Sequence, residues 1–164
     1  MTKTKPTLQT TISKSVVYEG PGLHTGESCK ITLLPAPPGS KVCFERLKSG
    51  SLYKVPAIPE NIVDSRRATD LGCNGIIIHT VEHIMAAILW SGVDNIIIRM
   101  EGAELPAGDG SALTYVNLLN EAGLSYLNIS RCKLGVNRPL MVSENNKYLM
   151  ALPYKGTRIT FLFL

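Results

Sequence analysis

Three histidines occur in the 164-residue chain, and two of them bound one short string, His79-Thr80-Val81-Glu82-His83. As a pattern this is H-x-x-E-H, in which two helical histidines one turn apart bind zinc and the glutamate activates water. That chemistry needs both imidazoles on one face. Thr80 reads as a helix N-cap, which leaves His79 at the end of the Ile76–Ile78 run and outside the helix, so the two rings need not meet one metal. The other reading is an exposed helix start whose glutamate matches the helix dipole. The third histidine, His24, stands in the Gly-rich segment Glu19-Gly20-Pro21-Gly22-Leu23-His24-Thr25-Gly26.

Those residues need elements to position them. Thr7 to Leu34 reads as two strands joined by the Gly-rich loop, with Cys29, Ile31 and Leu33 alternating after it. Val42–Leu47 and Leu52–Ile58 are predicted strands around a Lys48-Ser49-Gly50 turn, and Gly75–Ile78 is a buried strand that runs into a helix over 80–91. Val81, Ile84, Met85, Ile88 and Leu89 give that helix its apolar stripe, and Gly92 is its left-handed stop. Glu82 and His83 fall off the stripe, above Ala86 and Ala87, which leaves room for a ligand. Val93–Met100 follows as a strand. A Gly/Pro-rich loop then leads to Ser111 as the cap of a second helix through about Ala122, stopped by Gly123. Beyond Arg131 the expected strands are Pro139–Ser143, Tyr148–Leu152 and Arg158–Leu164, the first two joined by an Asn145-Asn146 turn. Asp94-Asn95 and Asp109-Gly110-Ser111 read as turn and cap residues. Arg66 and Arg67 either face a diphosphate or are simply solvated.

Composition narrows the class. With 45% hydrophobic and 18% charged residues the chain is an ordinary globular protein, long enough to build a core without metal or disulfide staples. Cys29, Cys43, Cys73 and Cys132 show no C-x-x-C spacing and are expected to be reduced thiols. Seventeen basic against thirteen acidic residues give +4, which suits an anionic small molecule as well as nucleic acid and identifies neither. The N-terminal residues lack the apolar core of a signal peptide, and no stretch approaches a membrane span, so the expected location is the cytoplasm.

Four motifs occur together: Gly22-Leu23-His24-Thr25-Gly26, Thr80-Val81-Glu82-His83-Ile84-Met85-Ala86-Ala87, Gly92-Val93-Asp94-Asn95, and Glu104-Leu105-Pro106 with Asp109-Gly110-Ser111-Ala112. In this order and spacing they resemble the zinc-dependent UDP-3-O-acyl-N-acetylglucosamine deacetylases of lipid A biosynthesis, over essentially the whole chain. The resemblance implies an α+β fold of two similar domains, each a sheet backed by helices, with the active site between them. It implies Glu82 as general base, His83 as a zinc ligand and His24 near the substrate, where a loop-ordering hydrogen bond is the alternative. It replaces the reading of H-x-x-E-H as an inverted zinc-protease signature with hydrolysis of the 2-acetamido group of UDP-3-O-acyl-N-acetylglucosamine, releasing acetate, and implies no nucleic-acid partner.

The chain also departs from that pattern. A catalytic zinc wants about three protein ligands. The family takes the others, and a histidine that protonates the leaving amine, from its second domain, whereas no histidine follows His83 here. The expectation is therefore a truncated chain, with residues 1–128 as the first α+β domain and residues 131–164 as the incomplete opening of the second. Such a chain would turn over little by itself and would self-associate through an unpaired strand edge. A non-catalytic, single-domain binding or regulatory module is the alternative.

Overall fold

Alternation of buried and exposed side chains sets most of the strands, and two glycine-stopped apolar runs form the helices. The computed structural model describes residues 8–132, 135–145 and 147–162. In chain order the elements are β1 (Leu8–Ile12), β2 (Val16–Pro21), β3 (Ser28–Pro35), β4 (Val42–Lys48), β5 (Ser51–Pro56), a 3-10 turn at Pro59–Asn61, β6 (Ile62–Asp64), β7 (Asp70–Cys73) and β8 (Ile76–Ile78). They continue with α1 (Glu82–Ser91), β9 (Ile96–Glu101), α2 (Leu113–Ala122), β10 (Leu124–Ser130), β11 (Leu140–Glu144) and β12 (Lys147–Ala151). The chain is α+β, as expected, and divides into one unit through Arg131 and another from Cys132 onward.

The first unit is built on a five-stranded sheet of order β2-β3-β9-β4-β5. Only the β4–β9 pair is parallel. The β4–β5 hairpin closes through Ser49 and Gly50, both with positive φ (51° and 76°), the two-residue turn that matches strand twist. One face is packed: Ile31, Leu33, Phe44, Ile98 and Met100 from the sheet join Ile84, Ile88, Tyr115 and Leu119 from the helices in a single buried cluster. Each such side chain contributes roughly 1.5–3 kcal/mol by leaving water. A three-stranded sheet, β6-β7-β8, lies just ahead of α1 in the chain, and β1 pairs with β10.

The helices differ in detail from the sequence reading. Helix α1 begins two residues after the predicted Thr80 cap. Val81 occupies the cap position, its carbonyl taking the first intrahelical bond from Met85 N–H, while the Thr80 hydroxyl is engaged elsewhere. Gly92 does stop the helix in the left-handed region, at φ 69°. Leu89, predicted for the core stripe, is 79% exposed, because at 3.6 residues per turn it lies about 140° round the helix from Ile84. Ala87 is buried in its stead, and Trp90 beside it is 83% exposed. In α2, Ser111 stands one residue ahead of the cap position and its hydroxyl accepts the Leu113 N–H at 3.0 Å.

Other departures have tertiary causes. β1 separates from β2 because it pairs with β10, and Asp94 ties the two together: its Oδ2 accepts Thr10 N–H at 2.9 Å and Arg131 Nε at 2.9 Å. Asn95, buried, accepts Lys41 N–H at 2.9 Å, so Asp94 and Asn95, read as turn residues, instead hold segments 84 and 54 residues away in the chain. β5 ends at Pro56 rather than Ile58, and β9 starts at Ile96 rather than Val93.

In the second unit, β11 and β12 form an antiparallel hairpin in which Glu144 opposes Lys147. Asn145 takes the positive φ of its turn, 45°, while Asn146, the other predicted turn residue, lies outside the described residues. Residues 158–162 of the predicted last strand are not in a strand and have no pairing partner among the described residues. Phe163 and Leu164 lie outside those residues.

Candidate active site

The β2–β3 loop is pinned by a carboxylate far along the chain. Glu104, 2% exposed, accepts the His24 N–H at 2.9 Å, the Thr25 N–H at 2.8 Å, the Thr25 hydroxyl at 2.7 Å and the Thr80 hydroxyl at 3.0 Å. Burial pushes this carboxyl up, but the hydrogen bonds from Thr25, His24 and Thr80 outweigh it and set it at about 2. Gly22 is required by the same contact, since a Cβ there would sit 2.4 Å from Glu104 Oε2. The loop is thus ordered through the His24 backbone, and among the described residues its imidazole makes no hydrogen bond. The ring is left exposed and available.

Glu104 is itself held in place. It forms a parallel bridge with His79, with His79 N–H donating to the Ala103 carbonyl at 2.9 Å, and the Tyr115 hydroxyl donates to the carbonyl of Pro106. His79 is outside α1, as its spacing from the cap predicts, so it and His83 do not stand on successive turns of one helix. The β7–β8 register, with Leu71 opposite Ile78, puts Asp70 across from His79, and Asp70 Oδ2 meets His79 Nδ1 at 2.7 Å. Thr80 sits between these groups at φ 62°, an uncommon conformation for a β-branched residue. Its N–H donates to Asp70 Oδ1 at 3.3 Å.

Glu82 and His83 open α1 together, both half-buried. Glu82 Oε2 accepts the Thr69 N–H at 3.0 Å, which ties the first turn of the helix to the residue preceding β7. Ala86, one turn below, is exposed, whereas Ala87 is in the core. His83 makes no hydrogen bond among the described residues. Within those residues no three His, Cys, Asp or Glu side chains gather as a metal site. His83 is one suitable donor, short of the three a catalytic zinc takes.

A cavity of about 310 Å³ opens beside this helix start, lined by His24, Thr25, Arg66, Arg67, Ala68, Asp70, His79, Thr80 and Glu104. Both arginines come from the β6–β7 loop. Arg66 is paired outward to Asp64, whose carboxyl that guanidinium holds well below the usual range. Asp109 keeps the turn role read for it, accepting Ser111 N–H and hydroxyl at 3.0 and 2.9 Å. The roles of Glu104 and of the Asp70–His79 pair were missed by sequence reasoning. The only local signal for Glu104 is an acidic residue set among apolar neighbours in a loop.

Comparison with known proteins agrees with the motifs. A family model described as LpxC, UDP-3-O-acyl N-acetylglycosamine deacetylase, matches residues 9–163. A protein of Oleidesulfovibrio alaskensis named UDP-3-O-acyl-N-acetylglucosamine deacetylase is 37% identical over 153 residues, 93% of this chain and 50% of that protein. Relatives of the same name from Geotalea uraniireducens (36% over 153 residues; 93% and 50%) and Xanthomonas campestris (37% over 155; 94% and 51%) are similar to it in the same way. The chain spans about half the length of the curated relatives it matches. With the match running through the pinned His24 loop, the Glu82–His83 helix start and Glu104 alike, the chain belongs to the UDP-3-O-acyl N-acetylglycosamine deacetylase family.

Proposed function

We propose that this chain contributes Glu82 and His83 to the site of a zinc-dependent UDP-3-O-acyl-N-acetylglucosamine deacetylase of lipid A biosynthesis, working in the cytoplasm. The observation that carries the proposal is the helix start itself: a carboxylate held by one oxygen at Thr69 N–H, next in sequence to an imidazole with no partner among the described residues. Glu82 is the general base and takes a proton at its other oxygen, Oε1. His83 is one zinc ligand, and the exposed His24 ring meets the substrate. Zinc, when bound, acidifies water and polarises a carbonyl. The described residues do not complete its ligand set, since His83 is one donor of the three that a catalytic zinc takes. Residues from 131 onward are read as the opening of a second domain. No described helix is long and apolar enough to cross a membrane.

The test is acetate release from UDP-3-O-acyl-N-acetylglucosamine by the protein as its source cells make it, with zinc measured on the same sample. About one zinc per chain is expected, with Glu82→Gln keeping the metal and losing about 10²–10⁴ in kcat. His83→Ala should lose the metal. The 164-residue chain alone, with one donor, should release little or no acetate. Full activity of Glu82→Gln would overturn the assignment, and a source protein without zinc or acetate release would leave the binding-module reading.

A further inference from the structure

We propose that Asn74, at the tip of the β7–β8 hairpin, is a site of spontaneous backbone modification, where the Gly75 nitrogen attacks the Asn74 side-chain amide and converts the residue to aspartate and isoaspartate. The chemistry needs only solvent water and is independent of the deacetylase reading.

Asn74-Gly75 is the one Asn-Gly pair in the chain. Its residue types answer first to the fold: both residues take positive φ, 50° and 75°, in the two-residue turn that closes Cys73 against Ile76. The same turn leaves the pair open to reaction. Asn74 and Gly75 are exposed, and neither the Asn74 side chain nor the Gly75 N–H makes a hydrogen bond among the described residues. A Cβ built at Gly75 would meet nothing within 4 Å, so the attacking nitrogen has no side chain on its own residue and open space beside it. The hairpin is held by three pairs, Leu71–Ile78, Gly72–Ile77 and Cys73–Ile76, short enough to open at its tip without unfolding the core. In the reaction the Gly75 nitrogen gives its proton to solvent base and bonds to Asn74 Cγ. The Cγ–Nδ2 bond then breaks, and Nδ2 takes up a proton and leaves as ammonia, giving a cyclic imide. Water opens the imide at either carbonyl: cleavage at Cγ leaves aspartate, and cleavage at the main-chain carbonyl leaves isoaspartate, with the backbone rerouted through Cβ and Cγ.

Two other turns show what is special here. Asp109-Gly110 has the same steric opening, but Gly110 N–H donates to the Ala107 carbonyl at 3.0 Å, which occupies the nitrogen. Asp109 Oδ1 accepts Ser111 N–H and hydroxyl at 3.0 and 2.9 Å, and these bonds keep the carboxyl ionised and a poor electrophile. Asn145 is exposed with positive φ like Asn74, but another asparagine follows it, and a Cβ on the attacking residue slows ring closure. The modification at Asn74 also falls where it matters to the fold. Isoaspartate lengthens the main chain at the turn, and β7 begins with Asp70 while β8 runs into His79, the two side chains that meet at 2.7 Å across this hairpin ahead of α1.

Incubation of the full chain in mildly alkaline buffer, followed by peptide mapping with mass spectrometry, tests the site without requiring turnover or metal. The peptide containing Asn74 should gain the mass of an amide-to-acid exchange and separate into two forms, aspartate and isoaspartate. Conversion should speed up as hydroxide rises and run at least about tenfold faster than at Asn145. Asn74→Gln should gain no mass at that position over the same period, because its longer side chain closes a less favoured ring. Gly75→Ala should slow the conversion about tenfold. A Cβ on a φ of 75° strains that variant, so circular dichroism checks its fold, and if the hairpin is disturbed the Asn145 comparison decides. Conversion no faster than at Asn145, an unchanged rate in a folded Gly75→Ala, or an intact Asn74 in the folded chain while the urea-unfolded chain converts fully would overturn the site.

Discussion

At the scale of single residues, a carboxylate gives its hydrogen-bonding capacity to neighbours so that other side chains stay available. Glu104 takes both N–H groups of His24 and Thr25 and two threonine hydroxyls, which leaves the His24 ring unencumbered. Its carboxyl sits at about 2, below the ordinary 4.5, so it adds stability that is fully present above pH 4.5 and is lost as pH falls from there toward 2. Glu104→Gln should cost roughly 2–3 kcal/mol at pH 7. The gap between parent and variant should narrow between pH 5 and pH 3 in urea unfolding, and a constant gap would show that the charge is not what holds the loop. Glu82 and His83 were legible in sequence because they are adjacent and set in a recognisable string. Glu104 was legible only as part of a motif, because its partners stand 24 and about 80 residues away and no local pattern connects them.

At the scale of elements, the glycine stops and apolar alternation were readable, and the exact helix start was not. Thr80 has the right residue type for a cap and the wrong job: its hydroxyl donates to Glu104 and its backbone is left-handed, so the cap passes to Val81. Tertiary contacts overrode local preference there, as they did in β6, β7 and β10. Those strands carry weak alternation and exist through their partners β8 and β1. Gly92 is the opposite case, a position that the sequence predicts and the backbone requires. A Cβ at Gly92 would touch nothing within 4 Å, so Gly92→Ala isolates the cost of the left-handed φ. That cost should be about 1 kcal/mol, read as a melting temperature lower by roughly 3–5 °C. No change would mean that the end of α1 is held by Val93 and its neighbours rather than by the turn.

At the scale of the whole molecule, the buried core belongs to one unit. Every buried apolar side chain among the described residues lies between Ile12 and Ala122, whereas the described residues from 135 onward are exposed throughout. A chain ended at Arg131 should therefore melt within about 2 °C of the full chain by circular dichroism, because unfolding cooperativity follows the core. Self-association, which Ile159, Phe161 and Leu162, all more than three-quarters exposed, are expected to promote in the longer chain, should be weaker in the shorter one. A drop in melting temperature well beyond that would show that residues 132–164 help hold the first unit. Trp90 is the chain's one tryptophan and stands on the outer face of α1, 83% exposed. Intrinsic fluorescence of this protein thus reports a surface rather than an interior. Its emission should already be red-shifted in the folded state and nearly blind to denaturation, and a blue shift would register only when something comes to cover that helix.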